Sequence, residues 1–161
     1  MTEQPGSAPA NVEFRPFRAG DGEAFRTLNE AWIEQHFGLE EKDRITLGDP
    51  EGSILARGGH IFMAVQEGRP VGCCALIPLR PGVFEVGKMT IAEAQRGRGL
   101  GRAMLAYTTE QAKALGVHSL YLETNDRLLD AIHLYEDLGF RHLPTKTSEY
   151  ARANVFMELV F

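Results

Sequence analysis

The hydrophobic patterning of this sequence predicts an α/β fold of the α+β kind, a central sheet covered by helices. Three observations carry this. Strand-like runs at 61–66, 71–79 and 83–91 are separated only by turns, as in an antiparallel meander. A glycine-rich loop then joins the last run to a helical pattern at 104–115. A further strand-like run and a second helical pattern follow, ending in Gly139-Phe140. The length of 161 residues suits one domain with a full core. The expected organisation is a short disordered tail over 1–10, rich in Pro, Gly, Ser and Gln, then a single domain over 11–161.

Each element has its own signal. Residues 12–18 alternate apolar and charged side chains, as an edge or half-buried strand does. Asp21 is the expected N-cap of a helix running to about His36, with Phe25, Leu28, Ala31 and Trp32 at helical spacing. A second short helix is expected over 40–46. Glu67-Gly68-Arg69-Pro70 is a hairpin signal, and Arg80-Pro81-Gly82 marks the next turn. The later helix groups Met104, Leu105, Thr108, Ala112 and Leu115, then stops at Gly116. Residues 119–124 read as a strand, 127–138 as a helix, and 140–143 with 153–161 as strands that close the sheet. Cys73 and Cys74 are neighbours on an apolar strand. They point to opposite faces and form no disulfide with each other. Two buried thiols fit a reducing cytoplasm.

Composition narrows the function classes. A net charge of -5 argues against a nucleic-acid partner, which calls for a basic excess. No apolar run is long enough for a transmembrane helix, so no membrane partner is expected, and the N-terminus lacks a signal-peptide pattern. His36, His60, His118, His133 and His142 are scattered without metal-ligand spacing, and no metal is expected.

The most informative stretch is Gln95-Arg96-Gly97-Arg98-Gly99-Leu100-Gly101-Arg102. Its glycines let the backbone turn tightly and approach a ligand. A loop that opens a helix presents unpaired amide N–H groups and the positive end of the helix dipole, a phosphate cradle. The dinucleotide fingerprint needs a glycine where Arg102 stands, and the Gly-Lys-Ser/Thr ending of a P-loop is missing. What remains is Arg-x-x-Gly-x-Gly, carried by Arg96, Gly99 and Gly101. This resembles the pyrophosphate loop of the GNAT family of N-acetyltransferases. The run Leu134-Tyr135-Glu136-Asp137-Leu138-Gly139-Phe140 resembles the family's second signature, a helix with a tyrosine followed by Gly-Phe. The likeness spans roughly residues 12–161 and is most specific over 83–141.

The resemblance implies a GNAT fold. That is a mixed, mostly antiparallel sheet of about seven strands flanked by about four helices, in the order β-α-α-β-β-β-α-β-α-β-β. Strands 4 and 5 run parallel and splay apart to admit a pantetheine arm. It implies acetyl-CoA as acyl donor, held by Arg96, Gly97, Arg98, Gly99, Leu100, Gly101 and Arg102 at the phosphates. The main chain of Met89, Thr90 and Ile91 would hold the pantetheine and the thioester carbonyl. One position departs from the pattern: the family's common asparagine is Leu128 here. Asn125, three residues earlier, could take over that contact, or be a turn residue before Asp126.

Acetyl transfer needs a neutral amine, a donor for the developing oxyanion and a proton for the departing thiolate. Tyr135 matches the family tyrosine that points at the sulfur, and a phenol of ordinary pKa ~10 can donate there. The base candidates are two carboxylates. Glu85 sits in the apolar run Val83-Phe84-Glu85-Val86, where a carboxylate is costly unless it faces a cleft or a partner. It falls where the histone-acetylating branch of the family keeps its glutamate base. Glu123 lies where family enzymes acting on ribosomal-protein N-termini use a glutamate. Either, both, or a water would serve. Lys88 has the opposite pleat parity from Glu85 and need not be its partner.

The resemblance places the acceptor on the side opposite the coenzyme, within 32–49 and 145–154. Trp32, His36, Phe37, Tyr150, Arg152 and Asn154 are the candidate substrate-binding residues, with Arg152 suited to grip a substrate carboxylate. The expected activity is transfer of acetyl to a primary amine, on a small molecule or a peptide or protein N-terminus, by direct attack within a ternary complex. Two alternatives stay open at this point: an acyl-CoA-binding sensor of the same fold without turnover, and an enzyme using a longer acyl-CoA. Relatives often pair through the sheet edge or last strands, so a homodimer is an expectation.

Overall fold

The computed structural model describes residues 11–161; the expected tail over 1–10 lies outside the described residues. The elements are β1 (Val12–Pro16), α1 (Gly22–His36), α2 (Glu41–Gly48), α3 (Pro50–Ser53), β2 (His60–Gln66), β3 (Arg69–Arg80), β4 (Val83–Ile91), α4 (Leu100–Ala114), β5 (Ser119–Thr124), α5 (Leu129–Asp137), β6 (Arg141–His142) and β7 (Val155–Val160). They build a seven-stranded sheet in the order β1-β2-β3-β4-β5-β7-β6. Only β4 and β5 pair parallel; the others are antiparallel.

Side-chain alternation divides the core between the two faces of the sheet. Phe62, Cys74, Leu76, Val86, Leu120 and Leu122 pack with Leu100, Met104, Leu105 and Ala112 of α4. Ile61, Met63, Val65, Cys73 and Ala75 pack with Phe25 and Ile33 of α1 and Leu47 of α2. Cys73 and Cys74 thus lie on opposite faces, both free.

Four details differ from the sequence reading. The buried stripe of α1 is Phe25, Asn29 and Ile33, while Ala31 is exposed. Asn29 is a polar residue made tolerable inside by its side-chain bonds to Phe25 O (2.9 Å) and Cys73 Sγ (3.4 Å). Asp21 precedes α1 but does not cap it. Its carboxylate turns back to accept from Arg15 at 2.7 Å and from Arg18 N at 2.7 Å. A fifth short helix, α3, joins the four expected: Pro50 begins it, and Asp49 Oδ1 accepts from Gly52 N at 3.0 Å. Lastly, α4 begins at Leu100 instead of Met104, so the end of the glycine loop is the first helical turn.

Candidate functional site: a slot between two parting strands

β4 and β5 pair at Val83↔Ser119, Phe84↔Leu120 and Glu85↔Tyr121, and no further. Beyond Glu85 the backbone groups of β4 that face β5 have no strand partner there. The gap opens into a cavity of about 390 Å³. Met89, Thr90 and Ile91 form its β4 wall, Glu123 to Asn125 its β5 wall, and Leu134 and Tyr135 its α5 side.

A bulge shapes the β4 wall. Ala75 pairs with Gly87 and Cys73 with Thr90, so β4 has one more residue than β3 between those rungs. Lys88 takes it up with φ 50°, a left-handed conformation uncommon outside glycine. The extra residue reverses the local parity. The expectation that Lys88 points away from Glu85 is therefore corrected: both line the same cavity.

At the other end of β4, the loop behaves as a cradle. Gly97 and Gly99 have φ 78° and 81°, and nothing lies within 4 Å of a Cβ built on either. Both therefore face open space in a backbone conformation that side chains resist. The amides of Leu100, Gly101 and Arg102 open α4, where no carbonyl one turn back can receive them. The Leu100 side chain is buried in the core, fixing the helix start. Arg98 is exposed and makes no hydrogen bond among the described residues. The other two arginines are engaged: Arg96 Nε donates to Ile91 O at 3.0 Å, and Arg102 pairs with Asp137 at 2.6 Å. The open amides, two unobstructed glycines and a free guanidinium fit a pyrophosphate, and the parted strands fit a pantetheine arm.

Tyr135 reaches the slot from α5, packed 5.9 Å from the Phe140 ring. Its hydroxyl makes no hydrogen bond among the described residues, and burial, helped by nearby Cys74, raises its pKa. It therefore keeps its proton throughout the neutral range. Asn125 lines the same cavity, but its polar atoms serve the turn. Its Nδ2 donates to Arg152 O at 2.7 Å and its Oδ1 accepts from Arg127 N at 2.9 Å.

The carboxylates meet at the mouth of the split. Glu85 and Tyr121 are register partners, so Glu123, two residues on, shares their face. Glu123 accepts from Tyr121 Oη at 2.8 Å and from Ser148 Oγ. Glu85 has no hydrogen-bond partner among the described residues. Burial, then the charge of Glu123, pushes it up to about 7, against the pull of Lys42, Lys88 and Lys146.

The acceptor side is closed by the segment between β6 and β7, held on α2. Arg152 grips Asp43 through two bonds of 2.7 and 2.8 Å and reaches Glu40 at 3.2 Å. Lys88 Nζ donates to Asp43 at 2.7 Å and to Tyr150 Oη at 3.2 Å. The Asp43 side chain is 0% exposed and its carboxyl is held well below the usual range, burial being outweighed by these two cations. The Arg152 fork, expected to take a substrate carboxylate, is filled by the chain's own Asp43. Asn154 is a structural residue here: its Oδ1 accepts from Asp126 N at 2.9 Å, and it lies outside the cavity lining. Trp32, Phe37 and Tyr150 do line the cavity. His36 sits next door with Trp32, Phe37 and Arg127 in an adjoining groove.

Asp43, Tyr121 and Ser148 were not singled out by the sequence, and Lys88 was named there only as lying on the other face from Glu85. Tyr121 and Glu123 stand two apart on a strand, and that spacing alone places them side by side. Asp43 has one local partner, the Glu40 amide at the start of α2 (2.9 Å), while the cations that make it part of the site come from β4 and from the segment before β7.

Residues 23–140 match the model of the Acetyltransferase (GNAT) family. The chain belongs to the GNAT family. It is 34% identical to the uncharacterized N-acetyltransferase YjgM of Escherichia coli K12 over 119 residues, 69% of this chain and 71% of that protein. It is 33% identical to an uncharacterized N-acetyltransferase of Schizosaccharomyces pombe, over 83% of this chain and 85% of that one. A GNAT acetyltransferase from Staphylococcus aureus Mu50 superposes with a TM-score of 0.80 at 21% identity, covering 91% of this chain and 97% of that one. The yncA protein of Salmonella typhimurium, solved with its cofactor acetyl-CoA, superposes with a TM-score of 0.73 at 18% identity, covering 94% of each chain. This GNAT protein is an acyltransferase of the N-acetyltransferase type. Among its described residues no helix is long and apolar enough to cross a membrane, and no group of three or more His, Cys, Asp or Glu is placed to hold a metal.

Proposed function

We propose that this protein transfers acetyl from acetyl-CoA to a primary amine, on a small molecule or a peptide or protein N-terminus, by direct attack within a ternary complex in the cytoplasm. The observation that carries the reading is one slot with a phosphate cradle at one end and an unpaired, near-neutral carboxylate at the other. When bound, acetyl-CoA supplies the acetyl thioester. The first-turn amides of α4 and the loop 96–99 hold its phosphates. The parted edge of β4, Met89 to Ile91, offers main-chain bonds to its arm. Glu85 takes a proton from the amine nitrogen onto a carboxylate oxygen, titrating near the working pH as a general base should. The Tyr135 hydroxyl, protonated and unpartnered among the described residues, donates a hydrogen bond to the departing sulfur, and the thiolate takes up its proton from solvent. Trp32, Phe37 and Tyr150 wall the amine's approach.

Calorimetric titration with acetyl-CoA, followed by thiol release against a panel of small amines and N-terminal peptides, tests the reading. Binding with release from at least one amine is expected. Absence of binding would overturn the cradle. Binding without release from any amine would favour a non-catalytic acyl-CoA-binding role.

A further inference from the structure

The two carboxylates at the split differ in how they are held. Both Glu123 oxygens are engaged, one by Tyr121 Oη at 2.8 Å and the other by Ser148 Oγ. Ser148 is itself oriented, since its Oγ accepts from Tyr150 N at 3.0 Å. Glu85, on the same face, has no hydrogen-bond partner among the described residues and lines the cavity, where its oxygens can meet a ligand.

The charged groups around Glu85 come from every element packed there. They are Glu123 on β5, Lys88 on β4, Lys42 on α2 and Lys146 before β7, with the phenols of Tyr121 and Tyr150. The cations are engaged elsewhere. Lys88 is bonded to Asp43 at 2.7 Å, Lys42 pairs with Glu149, and Lys146 stands 4.1 Å over the Tyr121 ring. The like charge of Glu123 is left to act on Glu85 without a cation bonded between them.

Resting on the transferase reading above, we propose that Glu123 is a positioning residue: a carboxylate fixed by Tyr121 and Ser148 that makes its neighbour Glu85 the proton acceptor for the incoming amine. Both Glu123 oxygens are already taken by donors, so the carboxylate is held in place and poorly disposed to receive the amine proton. Glu85 meets no donor among the described residues and stands beside that fixed negative charge, which favours its taking a proton. The proton that leaves the amine nitrogen ends on a Glu85 oxygen, and from there passes to solvent.

The test is a ¹³C NMR titration of the glutamate carboxyls in the full-length protein without ligands, run beside the pH–rate profile for thiol release. In Glu123→Gln the Glu85 midpoint is expected to fall from about 7 by at least about half a pH unit, and the acidic limb of the rate profile to move the same way. Ser148→Ala should move both in the same direction by less, and it serves where Glu123→Gln folds poorly. An unchanged Glu85 midpoint in both variants overturns the proposal. So does loss of the acidic limb in Glu123→Gln, which would make Glu123 the base. A moving midpoint with no thiol release from the wild-type protein overturns the transferase reading instead, and leaves the coupling of the two carboxylates supported.

Discussion

Glu85 stands opposite Tyr121 on the last residue pair that joins β4 to β5. One step further along each strand the backbones part. The carboxylate is thereby held by regular sheet while facing the opening that the sheet leaves. That location keeps it fixed and poorly solvated, and both serve a base.

Replacing Glu85 with Gln should lower the transfer rate by roughly 10²–10⁴-fold, the usual worth of a positioned general base. It should also stabilise the fold in alkali. The folded carboxyl titrates near 7 and the unfolded one near 4.5, so the native state binds more protons between these values. Stability therefore falls as pH rises through that window and stays lower above it. Urea unfolding at pH 8 should show the variant more stable by roughly 1–3 kcal/mol, with the two curves meeting below pH 4.5.

Tyr135→Phe should leave stability nearly unchanged, since the hydroxyl makes no hydrogen bond among the described residues. Turnover should fall by about tenfold or more, while acetyl-CoA affinity measured by calorimetry changes little. Equal losses in affinity and turnover would return Tyr135 to a packing role.

Gly99→Asp tests the cradle. The position has open space but φ 81°, which costs a side chain about 1 kcal/mol. The fold should survive with a slightly lower melting temperature. A carboxylate beside the first amides of α4 should compete for them, weakening acetyl-CoA by at least about a hundredfold in the same titration.

Asp43→Asn should be the most damaging to the fold. It strips the anion from Lys88 and Arg152, whose side chains are only 6% and 18% exposed. A loss of about 3–5 kcal/mol is expected. Because the folded Asp43 carboxyl titrates below 3.8, its contribution is fully present above that pH and is lost as pH falls through its folded value. The gap between wild type and variant should stay constant above pH 4 and narrow in stronger acid.

The meander, the loop and both later helices were legible because each rests on local chemistry: turn residues, periodicity and a glycine-led helix start. The displaced details have non-local causes. Asn29 is buried on α1 because a backbone carbonyl and the Cys73 thiol satisfy it, and no propensity encodes that partner. Asp21 has an N-cap's composition, but Arg15 of β1 claims its carboxylate. Lys88 joins Glu85 only through the added residue of the bulge, which alternation along one strand cannot reveal. Arg152 looked free to bind a substrate until Asp43 filled its fork.

Among the described residues, β1–β4 meets the β5-β7-β6 half of the sheet through three register pairs, beside which Gly82 O accepts from His118 N and Ser119 N. A molecule lying in the opening would act as mortar along this seam, bonding to both halves at once. Donor supply then becomes a determinant of durability as well as of rate. At a hundredfold excess over the dissociation constant, a ligand adds about 2.7 kcal/mol to the folded state. A cell rich in the acyl donor would keep this protein more resistant to unfolding and proteolysis than a starved one.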